Sequence, residues 1–483
     1  ETGQSNPALL KDGYNLWIRT KGILINSTKQ TKNIILNSSD TLIRRLYQDW
    51  LNLKGTLAAY YSSPLEDLKE DNIDLDDIEK QANTAEKELS RRSSRFSAEY
   101  VQQVLSFDDI RNRLKTGEVA IEIICLRRYY GEMKGQSEYA ALILTKDAGA
   151  PTLVRIGTGA GLEKYTAAYK RAIKAKAADP NAYTFYWKPL ETALGNNKSI
   201  YFSVDGTYNN INPNTLQRPD GTYLLDYYNI VLVPNTAAII AGASQVSIFS
   251  ARSEVTLIGS PVFGNDALIA PLPGTKEEVQ RIDKVLAGSQ ISTKLYMEQN
   301  ASEENIKTVS GPSVLHVATH GFFNPDVSMD KVMSMGVQVS KAKNNALLRS
   351  GLLLNGAAAV YNDEPNLLGS NNGVLYAFEA MGLDLQQTKI AVLSACETGT
   401  GEVVNGEGVY GLCRAFQVAG ASKILMSLWK VDDEGTRDLM IKFYEYLATG
   451  NSLHESLKKA QSDQARLLSN PSLWGGFVLV GNN

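Results

Sequence analysis

The sequence predicts an α/β protein: a mostly parallel sheet with helices on both faces, preceded by an α-helical N-terminal region. Three observations carry this. Up to about residue 104, apolar side chains recur at three- and four-residue steps. Beyond that point come short continuous runs of Ile, Val, Leu and Tyr, too short for helices and of strand composition. In the second half these runs alternate with amphipathic segments, as strands buried on both faces of a parallel sheet do.

The elements follow in order. In "LIRRLYQDWLNLKGTLAAYY", Leu42, Leu46, Trp50, Leu53 and Leu57 form one apolar stripe of a helix. A second helix follows Pro64, with Leu75, Ile78, Ala82, Ala85 and Leu89 as a narrow stripe amid dense charge, so residues 1–104 read as a helical region with an exposed hairpin. Residues 105–190 are β-rich, led by "EVAIEIICLRRYY" and "EYAALILT"; "IGTGAGLEK" at 156–164 lacks either glycine-rich phosphate-loop spacing and reads as a turn. Residues 191–483 carry the alternating part. "EVTLIGSPVF" is a strand, and Thr275 and Glu278 stand in capping-box spacing at the start of a helix. "SVLHVATHGFF" is a strand ending near Gly321. A short helix lies around 373–381, then come the strand "KIAVLSA", a helix with Val409, Leu412, Cys413 and Phe416 on one face, the strand "KILMSLWKV", and a helix lined by Leu439, Met440, Phe443 and Leu447.

Bulk properties exclude several classes. With 483 residues, 43% hydrophobic and 21% charged, and a net charge of −3, the chain can bury large cores and gives no global reason to expect nucleic acid. No apolar run approaches the roughly 20 residues that span a bilayer, so no membrane is expected. Cys125, Cys396 and Cys413 cannot build a disulfide framework and none sits in a C-x-x-C pair, which points to a reducing compartment, the cytoplasm. Glycosylation triplets at Asn26, Asn37, Asn197 and Asn300 are common by chance and carry little weight.

Parallel sheets carry their chemistry at the carboxyl ends of the strands, where His320 and Cys396 both fall. His316 and His320 share one strand, roughly 13 Å apart, so they cannot ligate one metal, and no metal or cofactor is expected. His316, inside its apolar run, reads as a hydrogen-bonded interior residue, and His454 as a surface or capping residue. His320, beside a glycine that admits another backbone, is the best base among the three. Cys125 reads as core. Cys396 is open to two readings: a small buried hydrophobe, or a thiolate displayed where a strand enters a glycine-rich loop.

"LHVATHGFF", "LSACETGTG" and "GVYGLCRAFQVAGASKILMSLWKVDDEGT" together resemble the CHAT-domain family, which belongs to the caspase-like (clan CD) cysteine peptidases together with separase, caspases and gingipains. The resemblance extends to "IYFSVDGTYNNINPNTL", where Val204 stands in place of the family's usual proline, and to "WIRTKGILIN", similar to the segment joining tetratricopeptide repeats to CHAT domains. It implies a caspase-like sheet and a Cys396–His320 dyad that cleaves a protein or peptide substrate through an acyl-enzyme. It also implies an oxyanion hole made by the backbone amides of Gly321 and Cys396, with Glu397 a motif residue without a role.

The resemblance also brings Trp429, Asp432, Asp433 and Asp205 forward as candidates for the pocket that holds the substrate residue before the cleaved bond (P1). An unpaired carboxylate there favours Arg or Lys. Asp433 equally reads as a helix cap, and family members with apolar preferences fit the sequence as well. The irregular segment 324–372, or the helical N-terminal region, is expected to gate the site, with a plain surface excursion as the alternative. The N-terminal region is where an activating protein partner would dock, and the family context is bacterial signalling or defence. A non-catalytic scaffold on the same fold, or another cysteine hydrolase, remains open.

Overall fold

The computed structural model describes residues 6–36, 38–61, 65–70, 72–97, 105–127, 137–241, 248–249, 253–264, 269–325, 333–334, 337–338, 342–343, 345–361 and 371–481. Eleven strands form one sheet. Numbered in chain order within it, they are β1 (Glu118–Arg127), β2 (Ser137–Thr145), β3 (Thr152–Thr158), β4 (Ser199–Ser203), β5 (Asn229–Leu232), β6 (Glu254–Pro261), β7 (Ser292–Glu298), β8 (Val314–Ala318), β9 (Ile390–Ser394), β10 (Lys423–Ser427) and β11 (Phe477–Gly481). Their spatial order is β3-β2-β1-β4-β5-β11-β10-β9-β8-β6-β7. Only β1/β2, β2/β3 and β10/β11 pair antiparallel; the other seven pairings are parallel, so the sheet is the mostly parallel one expected.

Every residue of β8 and β9 is buried, because helices cover both faces. Leu315, Val317, Ala391 and Leu393 point to the face covered by the helix Leu412–Ala419 and pack with Phe416. Val314, Ala318, Ile390 and Val392 point to the other face and pack with Val279 and Phe443 of the helices Pro273–Gly288 and Asp433–Ala448. His316 shares this second face and is fully buried there, with Nε2 2.9 Å from Glu278 Oε1 and Nδ1 3.2 Å from Tyr444 Oη.

The N-terminal region is helical as expected: Pro7–Thr20, Ile23–Leu36, Thr41–Tyr61 and Leu75–Ser97 are its principal helices. Its junction is tied to the sheet by a buried network. Lys21 Nζ donates to Glu122 Oε2 (3.0 Å) and Ser203 Oγ (2.6 Å), and Glu122 Oε1 accepts from the Thr236 amide (2.5 Å). One stripe is rotated from its expected position: Leu42 is exposed, while Ile43 and Tyr47 are buried instead. Among the described residues no helix is long and apolar enough to cross a membrane.

Five local expectations need correction. Val409 does not share the helix Leu412–Ala419 but lies on the strand Gly408–Tyr410 before it. Residues 156–164 are not a turn but the end of β3 and the start of the helix Gly159–Lys174, whose first turn is capped by the Thr158 hydroxyl. Thr275 and Glu278 form no capping box: the Thr275 hydroxyl donates to Leu272 O, and Glu278 turns inward to His316. The element near 373 begins as the strand Val374–Tyr376 before the helix Ala377–Ala380. His454 is not a cap; Ser452 caps that helix, and His454 Nε2 lies 2.8 Å from Asn229 Oδ1. Much of the 324–372 segment lies outside the described residues. Its strand Ser350–Leu353 is described and joins Gly321–Phe323 and Val374–Tyr376 in a small antiparallel sheet.

Candidate active site

Register brings the two candidate residues to one edge. β8 and β9 are parallel neighbours with Ala318 opposite Ser394, and the Thr319 amide continues the ladder to Ser394 O (3.2 Å). His320 and Cys396 each lie two residues beyond that last pair, so both leave the sheet at its carboxyl edge from adjacent strands. Gly321 packs directly on the cysteine: a Cβ there would stand 2.6 Å from Cys396 O and 2.9 Å from Thr398 Cγ2, so only glycine fits.

His320 is held from both ends. Its carbonyl accepts from the Leu353 amide (2.9 Å), and Thr319 Oγ1 donates to Leu353 O. The half-buried ring lies against Phe263, centroids 5.3 Å apart, and Nε2 is 2.7 Å from Ala270 O. A carbonyl only accepts, so Nε2 carries the proton, which leaves the Nδ1 lone pair free to act as a base. Phe263 and Ala270 carry no motif; a main-chain carbonyl leaves no signature in a sequence.

Cys396 stands on a tight turn. Glu397, immediately after it, has a φ of +55°, a left-handed conformation that costs a non-glycine residue on the order of 1 kcal/mol. Hydrogen bonds from β10 and within the turn hold it. Ser427 Oγ donates to Ala395 O (2.6 Å), the Ser427 amide donates to Thr398 Oγ1 (3.1 Å), and the Gly399 amide donates to Ser427 O (2.7 Å). Ser427 and Thr398 are buried and belong to the site's support, a role that becomes visible only once β10 lies beside β9. The partly exposed thiol donates to Val431 O at 3.8 Å. Burial pushes the thiol up from its ordinary value; a backbone hydrogen bond from Val431 and the charge of Lys430 act the other way, and Glu397 and Asp433 add to the rise. Cys125 and Cys413 are both buried.

The pocket candidates are brought near the site but are engaged. Asp432 Oδ2 caps its own helix by accepting from the Gly435 amide (2.9 Å). Asp433 Oδ2 accepts from the Gly274 amide (2.8 Å), at the first turn of the neighbouring helix Pro273–Gly288. Asp205 is fully buried and accepts from the amides of Cys125 (3.1 Å), Gly206 (2.9 Å) and Gly406 (2.8 Å). Each of the three carboxylates is positioned by backbone N–H groups and keeps acceptor capacity beyond the bonds it makes. Trp429 Nε1 donates to Ser472 O (3.0 Å), and its ring meets Tyr169 edge-on at 6.2 Å.

Beyond the cysteine, the strands Glu402–Val404 and Gly408–Tyr410 form a hairpin. Its tip is bound from the N-terminal region: the Gly22 amide donates to Gly406 O (2.7 Å) and the Leu24 amide to Glu407 Oε1 (3.1 Å). At its base, Arg349 Nη2 donates to Glu402 Oε2 (2.7 Å) while Nη1 reaches Pro325 O (2.7 Å), which joins the chain after His320 to the chain after Cys396.

A thiol and an imidazole leaving adjacent parallel strands at the carboxyl edge of a helix-covered sheet define a protein of caspase-like α/β fold. More particularly, the chain belongs to the CHAT-domain family, whose model matches residues 180–482. Tetratricopeptide repeat protein 28 of Mus musculus is 38% identical over 106 residues, which is 21% of this chain and 4% of that protein; its Homo sapiens counterpart gives the same figures. The chain therefore spans only a small part of the length of these relatives. Among solved structures, the Saccharomyces cerevisiae separase–securin complex is 13% identical, covering 59% of this chain and 15% of the matched one with a TM-score of 0.34. The Arg-specific cysteine proteinase gingipain R is 9% identical, covering 66% and 75% with a TM-score of 0.39.

Proposed function

We propose that this chain is a cysteine endopeptidase in which Cys396 is the nucleophile and His320 the general acid–base. The observation that carries the reading is the register: Ala318 opposite Ser394 puts His320 and Cys396 at equal distances beyond one parallel pair. With Nε2–H directed to Ala270 O, Nδ1 takes the proton from Sγ as the sulfur attacks the scissile carbonyl. The tetrahedral oxyanion is held by the amides of Gly321 and Cys396, the assignment carried by the family. Two fixed donors of this kind contribute several kcal/mol at the transition state. The imidazolium then gives its proton to the departing amine, and Nδ1 activates the water that hydrolyses the thioester. In the resting structure the thiol faces Val431 O and is pushed up by burial, so the attack begins with the sulfur turning from Val431 to His320.

The activity is regulated and directed at a protein partner, in line with the CHAT family's association with signalling and defence in bacteria. The reading is supported by the tie between the helical N-terminal region and the hairpin that follows Cys396, and by the match to a tetratricopeptide repeat protein. The engaged carboxylates of Asp205, Asp432 and Asp433 leave P1 preference to the cleavage pattern itself. The test is incubation of the protein and its Cys396→Ala variant with a diverse peptide mixture, with new termini read by mass spectrometry. Cleavages that require the thiol and cluster after one residue type establish the peptidase. Arg or Lys at that position would assign the pocket to one of these aspartates, which can accept from a cationic side chain while keeping its amide partner. Identical termini in the two samples, even after Cys396 is shown to react with an acyl electrophile, would favour the scaffold reading.

A further inference from the structure

Charge is unevenly distributed along the chain. Residues 155–188 hold seven Lys and Arg against two acidic residues, in a protein whose net charge is −3. Most of that excess lies on the helix Gly159–Lys174 and its immediate continuation, where Lys164, Lys170, Arg171, Lys174 and Lys176 are all exposed. Among the described residues, Lys164, Arg171 and Lys174 have no carboxylate partner. Lys170 and Lys174, four apart, repel one another on the helix surface.

The position of this helix gives the charge its meaning. Its inner side is fixed: Tyr169 Oη bonds Thr215 Oγ1 (2.7 Å), and the Tyr169 ring meets Trp429, just after β10. The next residue, Lys170, donates to Asn210 Oδ1 (2.7 Å) and lies within electrostatic reach of Glu397, the residue after Cys396. The cationic surface thus begins within reach of Glu397, next in the chain to Cys396, and runs outward along the helix.

We propose that the exposed face of the helix Gly159–Lys174 is an exosite that binds an acidic segment of the protein substrate flanking the cleaved bond. This rests on the peptidase reading. Unpaired cations at the mouth of a site raise the local concentration of an oppositely charged chain and speed its encounter. A nucleic acid fits the surface less well. The aromatic rings beside it, Tyr165 and Phe185, are stacked on one another with centroids 3.3 Å apart, so those faces are not open to a base.

The test uses the full chain carrying Cys396→Ala, so that ligands bind without being cut. Fluorescence anisotropy is measured with a labelled peptide of alternating Glu and Gly, its Gln-for-Glu counterpart, and a single-stranded oligothymidylate. The expected result is binding of the Glu peptide that weakens with salt and falls on the order of tenfold or more in K164E/R171E/K174E. The neutral variant K164Q/R171Q/K174Q falls between, which separates lost charge from lost fold. Equal binding by the triple variant, equal binding of the Gln peptide, or tight binding of the oligothymidylate alone overturns the exosite. In the version with an intact thiol, K164E/R171E/K174E should cut short neutral peptides at the unaltered rate while losing sites flanked by Asp or Glu. Absence of any cleavage strikes the peptidase reading alone, and unchanged anisotropy strikes the exosite alone.

Discussion

Gly321 lies against the main chain of Cys396 so closely that an added methyl group would sit 2.6 Å from the cysteine carbonyl oxygen. The contact fixes the distance between the strand ends that carry the imidazole and the thiol. Gly321→Ala is therefore expected to push the two apart and, on the proposed mechanism, to misplace one oxyanion donor. Turnover of a cleaved peptide should fall by about 10² or more, while the midpoint of thermal unfolding moves little by comparison. Steady-state kinetics beside a thermal melt checks this, and an unimpaired Gly321→Ala enzyme would remove Gly321 from the site.

The resting thiol sets a pH dependence. Burial raises Cys396 above its ordinary value and Lys430 opposes the rise, so the thiolate becomes abundant only above the roughly 8.5 of a free thiol. The rate of iodoacetamide alkylation of Cys396 should rise with pH to a midpoint above that value. Lys430→Glu should move the midpoint further up, and Lys430→Arg should leave it in place.

Asp433 separates a cap from a pocket. Its carboxylate accepts from the Gly274 amide, so Asp433→Ala is expected to cost roughly 1 kcal/mol of stability, as lost caps do, and to leave the P1 preference as it was. Denaturant titration and the cleavage profile of the variant give the two readouts.

The Lys21–Glu122 pair anchors the helical region. Both side chains are buried, so Lys21→Met strands a carboxylate that is 0% exposed and should cost about 3–5 kcal/mol. Lys21→Met with Glu122→Leu should lose much less, since no charge is left uncompensated. Because Gly22 and Leu24 hold the hairpin tip, Lys21→Met should also change the rate at which Cys396 is alkylated.

His454 predicts an acid-labile fold. Burial and the neighbouring Lys458 and Lys423 lower it to about 4, below the roughly 6.5 of the unfolded chain. The unfolded state then binds the extra proton first, so the stability this histidine contributes is complete above about pH 6.5 and is lost as pH falls to about 4, up to roughly 3 kcal/mol. His454→Gln should flatten the stability curve in that window.

Much of this was readable in one dimension because the information is local. Strand runs, helix stripes and a cysteine and histidine at strand ends are patterns of adjacent residues, and they indicated the α/β class and the two candidate side chains. What failed was orientation. The stripe through Leu42 was off by one position, since Ile43 and Tyr47 are as apolar as their neighbours and only the packing partner chooses among them. Thr275 and Glu278 had the spacing of a capping box, yet a buried imidazole on the strand β8 drew Glu278 inward.

The sequence by itself determined the fold class and the family and singled out Cys396 and His320 as candidates, because strand periodicity and contiguous motifs survive without a third dimension. Only the tertiary structure decided that these residues share a register, that Ala270 O orients the imidazole, and that Ser427 and Thr398 brace the turn. It also decided that three candidate pocket carboxylates accept from backbone amides and that Lys170 on the helix Gly159–Lys174 bonds Asn210. The physical reason is that hydrogen bonds and charges act over a few ångströms of space. The parallel sheet makes neighbours of residues that stand dozens to hundreds of positions apart in the chain.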